Sequence, residues 1–257
     1  MRALMYSAAV LAAAVVAAPV RADDDAKKII QEAVKAYGGA EVLAKHHGKG
    51  VIQKGKLHAS AGGMDLDGTV EVSAENGKFR RTVNLSIMGM EIAQTTVFNG
   101  EALWVAANGT IMLTVDKKED VDLIKESLFA EEAFSQVLRG EPGFKLSVIG
   151  DDKVDDNAVV GIRISKDGHK DVSVYFDKKT HLARKVVNRG LDIQTQMEVE
   201  SERILDNYKE FDGQMRPTRA IVNQDGKKVA EVEFTDVKYV DKFDKNVFAK
   251  PDGTSGS

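Results

Sequence analysis

Met64, Leu66, Val70, Val72 and Ala74 alternate with Asp65, Asp67, Thr69, Glu71 and Ser73. A period of two over that length excludes a helix and requires a strand with one dry side and one wet side. Half-wet strands belong to antiparallel sheets, because parallel sheets are covered on both faces. Glu75-Asn76-Gly77 then supplies a tight turn, since Asn-Gly tolerates the positive φ values that a two-residue hairpin demands. The pattern resumes at once. Phe79, Arg81, Val83, Leu85 and Ile87 share one face, and Arg80, Thr82, Asn84 and Ser86 share the other.

The same rhythm extends along the chain. A first strand is expected from Gly48, and further strands near 90–98, 101–106, 110–115, 143–150, 158–165, 171–176, 181–188, 191–204, 217–224 and 229–240. Asn99-Gly100, Asn108-Gly109, Asp167-Gly168, Arg189-Gly190 and Asp225-Gly226 are the expected turns. Closely spaced strands with short polar turns predict a meander of hairpins. Helical stretches interrupt it. Ile29, Ile30, Val34 and Tyr37 recur at helical spacing until Gly38-Gly39, a break that can serve as a hinge, and Ala40 to His46 adds a short turn. Asp116 is placed to cap a longer helix, in which Val121, Ile124 and Leu128, then Phe134, Val137 and Leu138, form a stripe ending at Arg139-Gly140. These helices are expected on one face of the sheet.

The N-terminus has the layout of a cleavable secretory signal. Arg2 precedes an apolar run from Leu4 to Val20, and Val20-Arg21-Ala22 offers a small-residue cleavage site before Asp23-Asp24-Asp25. The alternative is a membrane anchor, but the run is Ala-rich and barely long enough to span a bilayer. Residues 1–22 are therefore expected to be a signal peptide, residues 23–250 a single domain and residues 251–257 a disordered tail. No other segment approaches a membrane span, so no stable span is expected after cleavage. No cysteine follows the apolar run, so the chain is not itself a lipoprotein, and with no cysteine at all it has no disulfide or thiolate chemistry. Cleavage removes two arginines and no acid, which takes the net charge from −4 to −6. That balance argues against nucleic acid as a partner. A monomer is expected.

Catalytic and metal motifs are missing from the sequence. The five histidines include the adjacent pair His46-His47, which point about 100° apart on a helix, and no H-x-x-x-H or H-E-x-x-H spacing. There is no G-x-S-x-G elbow, P-loop or G-x-G-x-x-G run. Asp151-Asp152 and Asp155-Asp156-Asn157 lack the order of a calcium loop and read as turn residues. A glycosidase cleft is usually lined with aromatics, and this chain has one Trp. No cofactor is expected. What stands out is apolar: Met64, Met88, Met90 and Met112 cluster in the first half, with Trp104, Phe129 and Phe134 expected near them. Flexible methionines suit an adaptable binding wall, although ordinary core filling has the same signature.

Four local patterns, in order, resemble the LolA/LolB-like superfamily of periplasmic lipoprotein-sorting proteins. They are the Tyr37 to Leu43 segment after the first helix, and Val174 to Leu182 with Lys185. Asn207 to Pro217 and the closing Asp236 to Tyr239 with Phe243, Val247 and Phe248 complete the set. The resemblance spans most of residues 26–250. It implies a mainly β fold with accessory α: a strongly curved antiparallel sheet forming an unclosed barrel, with helices packed on its concave face. It further implies a non-catalytic carrier for an acyl-bearing ligand, a lipoprotein or lipid, held between sheet and helices. On alternation, Met64, Leu66, Val83, Leu85, Met90, Trp104, Phe129 and Phe134 are the expected lining. The alternative is an envelope structural or sensing module with protein partners and a filled core, and a hydrolase is the third possibility.

Overall fold

The computed structural model describes residues 23–61, 64–87, 89–191 and 197–252. The chain opens with α1 (Asp23–Ala36) and α2 (Ala40–Lys45). Six strands follow: β1 (Gly50–Ala61), β2 (Met64–Glu75), β3 (Lys78–Ile87), β4 (Met90–Phe98), β5 (Leu103–Ala107) and β6 (Thr110–Val115). The long helix α3 (Lys118–Leu138) leads into β7 (Phe144–Val154), β8 (Asn157–Lys166), β9 (Val172–Asp177) and β10 (Ala183–Leu191). The last strands are β11 (Glu198–Phe211), β12 (Gln214–Gln224) and β13 (Lys227–Val240), and a 3₁₀ turn covers Lys245–Phe248.

All thirteen strands form one antiparallel sheet in the order β6-β5-β4-β3-β2-β1-β13-β12-β11-β10-β9-β8-β7. It is not closed into a barrel: β6 and β7 are its two edges. Neighbours are hairpin partners except at one place, where β1 pairs with β13 and joins the two meanders. Because α3 connects β6 to β7, it must carry the chain from one edge to the other and so lies across one face. The ladder identifies that face. Val51, Ala74, Phe79, Phe98, Leu103 and Val115 stand opposite one another across six strands. Phe98 and Leu103 pack with Val121 and Ile124 of α3. On the reverse side, Ile52, Ser73, Arg80, Val97 and Trp104 are in register.

Two glycines on the helix side let the sheet curve. A Cβ at Gly55 would run into the backbone of Glu233, and one at Gly68 into the carbonyl of Asn84. Side chains on the inside of a bend crowd their neighbours, so a strand can be drawn that close only where the side chain is missing.

Several expected boundaries move. Arg189-Gly190 is not a turn: β10 runs through it, and Gly190 lies under α3, where a Cβ would stand 3.3 Å from Ser127 Oγ. The stretch 205–216 is not a long connection. β11 and β12 extend through it to a tight turn at Asp212 and Gly213, with φ of 49° and 83°. Pro217 therefore sits inside β12, opposite Tyr208, where the strand pair is irregular: Asn207 has φ of 50° and Thr218 Oγ1 donates to its carbonyl. Asp116 does not cap α3; the N-cap is Lys117, without a side-chain bond. The expected signal peptide and most of the expected tail lie outside the described residues.

Candidate functional site

The helices bury only part of the concave face. The larger core holds Ala26, Ile30, Ala33 and Tyr37 against Ala130, Phe134 and Val137 of α3, on a floor of Ile162, Ile164, Val172, Val174, Phe176 and Val186. That floor is β8 to β10. The smaller core, already described, sits under the first turns of α3 on β4 and β5. Between them, strands β2, β1, β13 and β12 present their helix-facing side to neither cluster.

That side is an apolar trough, half-open along two of its rows and closed at Val70. Leu85, Gly68, Leu57, Val232, Ala220 and Leu205 form one row across six strands, each opposite the next. All six are half-buried, and only Leu205 touches the larger core. A second row, Leu66, Ala59, Ala230 and Val222, runs beside it and ends at Arg203 and Val186. Phe234 and Val70 flank Gly55 in a third. Side chains this apolar are usually covered in a folded domain, and here they form a contiguous, half-open set.

The expected lining residues separate into three places. Leu66, Val83 and Leu85 face the trough, as does Met90 by register. Val83 is nearly closed at 9% exposure, whereas Met90 is 62% exposed at the tip of β4. Met64 has no described side chain. Trp104 is not part of this face: it stands opposite Val97 and Thr114, on the reverse side. Phe129 and Phe134 lie in the larger core. Phe134 meets Tyr37 and Phe176 edge-on at 5.6 and 5.5 Å, and Phe129 stacks on His169 at 3.6 Å. Met112, like Met90, is exposed, at 67%, and neither packs among these aromatics; the side chains of Met64 and Met88 lie outside the described residues.

The helices are held down by polar clamps. At the end of α1, Tyr37 and Tyr208 share a hydrogen bond of 2.8 Å between hydroxyls, and Tyr208 donates to the Ala183 carbonyl at 2.7 Å. Burial pushes the Tyr37 phenol up to about 12 and raises Tyr208 as well. After Gly38-Gly39, α2 is tied to the β11–β12 turn. Lys45 Nζ and His46 Nε2 reach the Asp212 carboxylate at 2.7 and 3.0 Å, and the His46 ring stacks on Tyr239. Those two bonds hold the Asp212 carboxyl down at about 2. Among the described residues, no group of three or more His, Cys, Asp or Glu could hold a metal ion, and no helix is long and apolar enough to cross a membrane.

A separate hollow of about 880 Å³ opens on the reverse side of the sheet. Ile52, Glu71, Ser73 and Arg80 form its base and Phe243 to Val247 its wall. Its lining is mixed in charge and it does not connect with the rows above.

With this architecture in view, solved structures are similar to it. A LolA superfamily protein of Nitrosomonas europaea matches with a TM-score of 0.51 at 13% identity, over 88% of this chain and 97% of that one. An outer membrane lipoprotein-sorting protein domain of Vibrio parahaemolyticus matches with a TM-score of 0.45 at 12% identity, over 88% and 97%. A DUF1329 family protein of Desulfovibrio piger matches with a TM-score of 0.45 at 10% identity, over 87% and 97%. No family model matches the chain, and no curated protein does. The chain thus has the LolA-like fold: an open, curved antiparallel sheet with helices on its concave side.

Proposed function

We propose that this chain is a non-catalytic periplasmic carrier that holds an acyl-bearing ligand, a lipoprotein or a lipid, against the concave face of its sheet. The observation that carries this reading is the row from Leu85 to Leu205, an apolar strip across six strands that the helices leave half-open. Each CH₂ laid into such a strip contributes about 0.8 kcal/mol, so one long chain is sufficient for useful affinity. The signal-like residues 1–22 support export, and the fold likeness supplies the architecture. Native mass spectrometry of the mature protein, isolated from its own envelope without detergent, tests the reading. A bound mass matching a lipid or acylated peptide, lost on denaturation, is the expected result. A clean unliganded mass together with no uptake of fluorescent fatty-acid probes would replace the carrier with a protein-binding module.

A further inference from the structure

One charged side chain breaks the apolar face of β3. Arg81 lies between Phe79 and Val83 on the helix side, in register with Gln53, Val72 and Thr96. Val83 and Thr96 are buried, yet Arg81 stays exposed, open to the trough. Across the trough, Arg203 of β11 shares the same face, opposite Val222, with its side chain 23% exposed. The carboxylate facing both is Glu131 of α3. It sits 3.9 Å from Arg203 Nη1 and within electrostatic reach of Arg81. Two guanidinium groups therefore share one carboxylate. Among the described residues, no carboxylate comes within 4.0 Å of Arg81.

A guanidinium that stands on an apolar face, open to solvent and with no carboxylate in close contact, can pair with an incoming anion at little cost. Arginine presents a planar fork that matches a carboxylate or phosphate with two parallel bonds. We infer that the ligand is an acidic amphiphile, its acyl chain along the Leu85 to Leu205 row and its carboxylate or phosphate paired with Arg81 and Arg203. This rests on the carrier reading and narrows its ligand to lipids with a free acid group. Glu131 would then act as a competitor for the same guanidinium groups.

Binding of three lipids with the same chain to the mature protein tests this: palmitate, palmitoyl lysophosphatidate and the uncharged monoglyceride. The acids are expected to bind more tightly than the monoglyceride. Arg81→Gln should weaken the acids roughly ten- to a hundred-fold and leave the monoglyceride unchanged. Glu131→Gln, which removes a solvent-accessible carboxylate and no apolar contact, should tighten the acids several-fold and keeps the test open if Arg81→Gln fails to fold. Palmitate favoured over lysophosphatidate identifies a carboxylate ligand, and the reverse a phosphate ligand. Equal binding of all three, unmoved by either variant, overturns the acidic-ligand inference while the carrier reading stands. Binding of none overturns both.

Discussion

The hydroxyl of Tyr37, at the end of α1, lies 2.8 Å from the hydroxyl of Tyr208 on β11, and this pair ties the first helix to the sheet. Tyr208 also donates to the Ala183 carbonyl, and Tyr37 Oη accepts from the Ala183 amide at 3.3 Å. Tyr37 and Ala183 are buried, and Tyr208 is partly so. Tyr208→Phe should therefore cost about 1–3 kcal/mol, because it leaves buried polar atoms without partners. Urea unfolding checks the value, and a loss under a few tenths would mean that α1 is held by its apolar face alone.

The same pair predicts an alkaline limit. A phenol raised by burial favours the neutral form in the folded state, so its contribution is complete below the unfolded value of 10.0 and is lost as pH rises through about 12. Tyrosinate absorbance during alkaline titration should show Tyr37 and Tyr208 ionising only as the protein unfolds. Reversible ionisation of every tyrosine near pH 10, with the fold intact, would contradict the enclosed pair.

Asp212 gives the opposite sign. Its carboxyl is held at about 2 by Lys45 and His46, so its contribution is present above 3.8 and lost as pH falls through about 2. Asp212→Asn should loosen α2 from the β11–β12 turn. Hydrogen exchange of the α2 amides, faster in the variant at neutral pH and equal in both proteins in strong acid, is the expected outcome.

Core and trough should answer differently to truncation. Phe134 is wedged between Tyr37 and Phe176, and Phe134→Ala should cost about 3–5 kcal/mol. Leu85 is half-open, and Leu85→Ala should cost roughly 1 kcal/mol while lowering acyl-probe affinity. Thermal melts with a probe titration separate the two. A Leu85 variant that loses stability like the Phe134 variant, with probe binding unchanged, would make the trough an ordinary core.

Gly68→Ala should destabilise by roughly 1–3 kcal/mol, since the added methyl meets the Asn84 carbonyl on the inside of the bend. Alanine at Gly77, where nothing stands near a Cβ, is the control for turn strain alone. Equal losses at both positions would remove close strand approach as the reason for Gly68.

Strand order and the helix-bearing face were readable where alternation was strict. Residues 64–87 give both strands and their turn, because each side of those strands meets a different solvent. Parity failed where both sides are apolar. Leu103, Trp104 and Val105 have no polar member, and only the register with Val97 and Phe98 places Trp104 on the reverse side. Glu198 to Arg203 is the opposite case: a run of mainly charged residues hides that Arg203 points inward. Arg81 was visible as the one cation among Phe79, Val83 and Leu85, but its meaning depends on a residue of α3 distant in sequence. Helical spacing placed Phe134 on the buried stripe of α3, and could not tell which strands receive it.

The route of α3 from one edge strand to the other sets how this molecule can come apart. The sheet is two meanders, β1–β6 and β7–β13, and the ladder between β1 and β13 is the seam in its middle. Cutting the chain within Arg139–Gly143 would leave one fragment ending in α3 and another beginning with β7. Each would keep its own run of hairpins, and their shared boundary would be that central ladder together with the helices. Such fragments are expected to find each other in solution and rebuild the sheet from its centre outward. The apolar trough, which straddles the seam, would exist only in the reassembled pair.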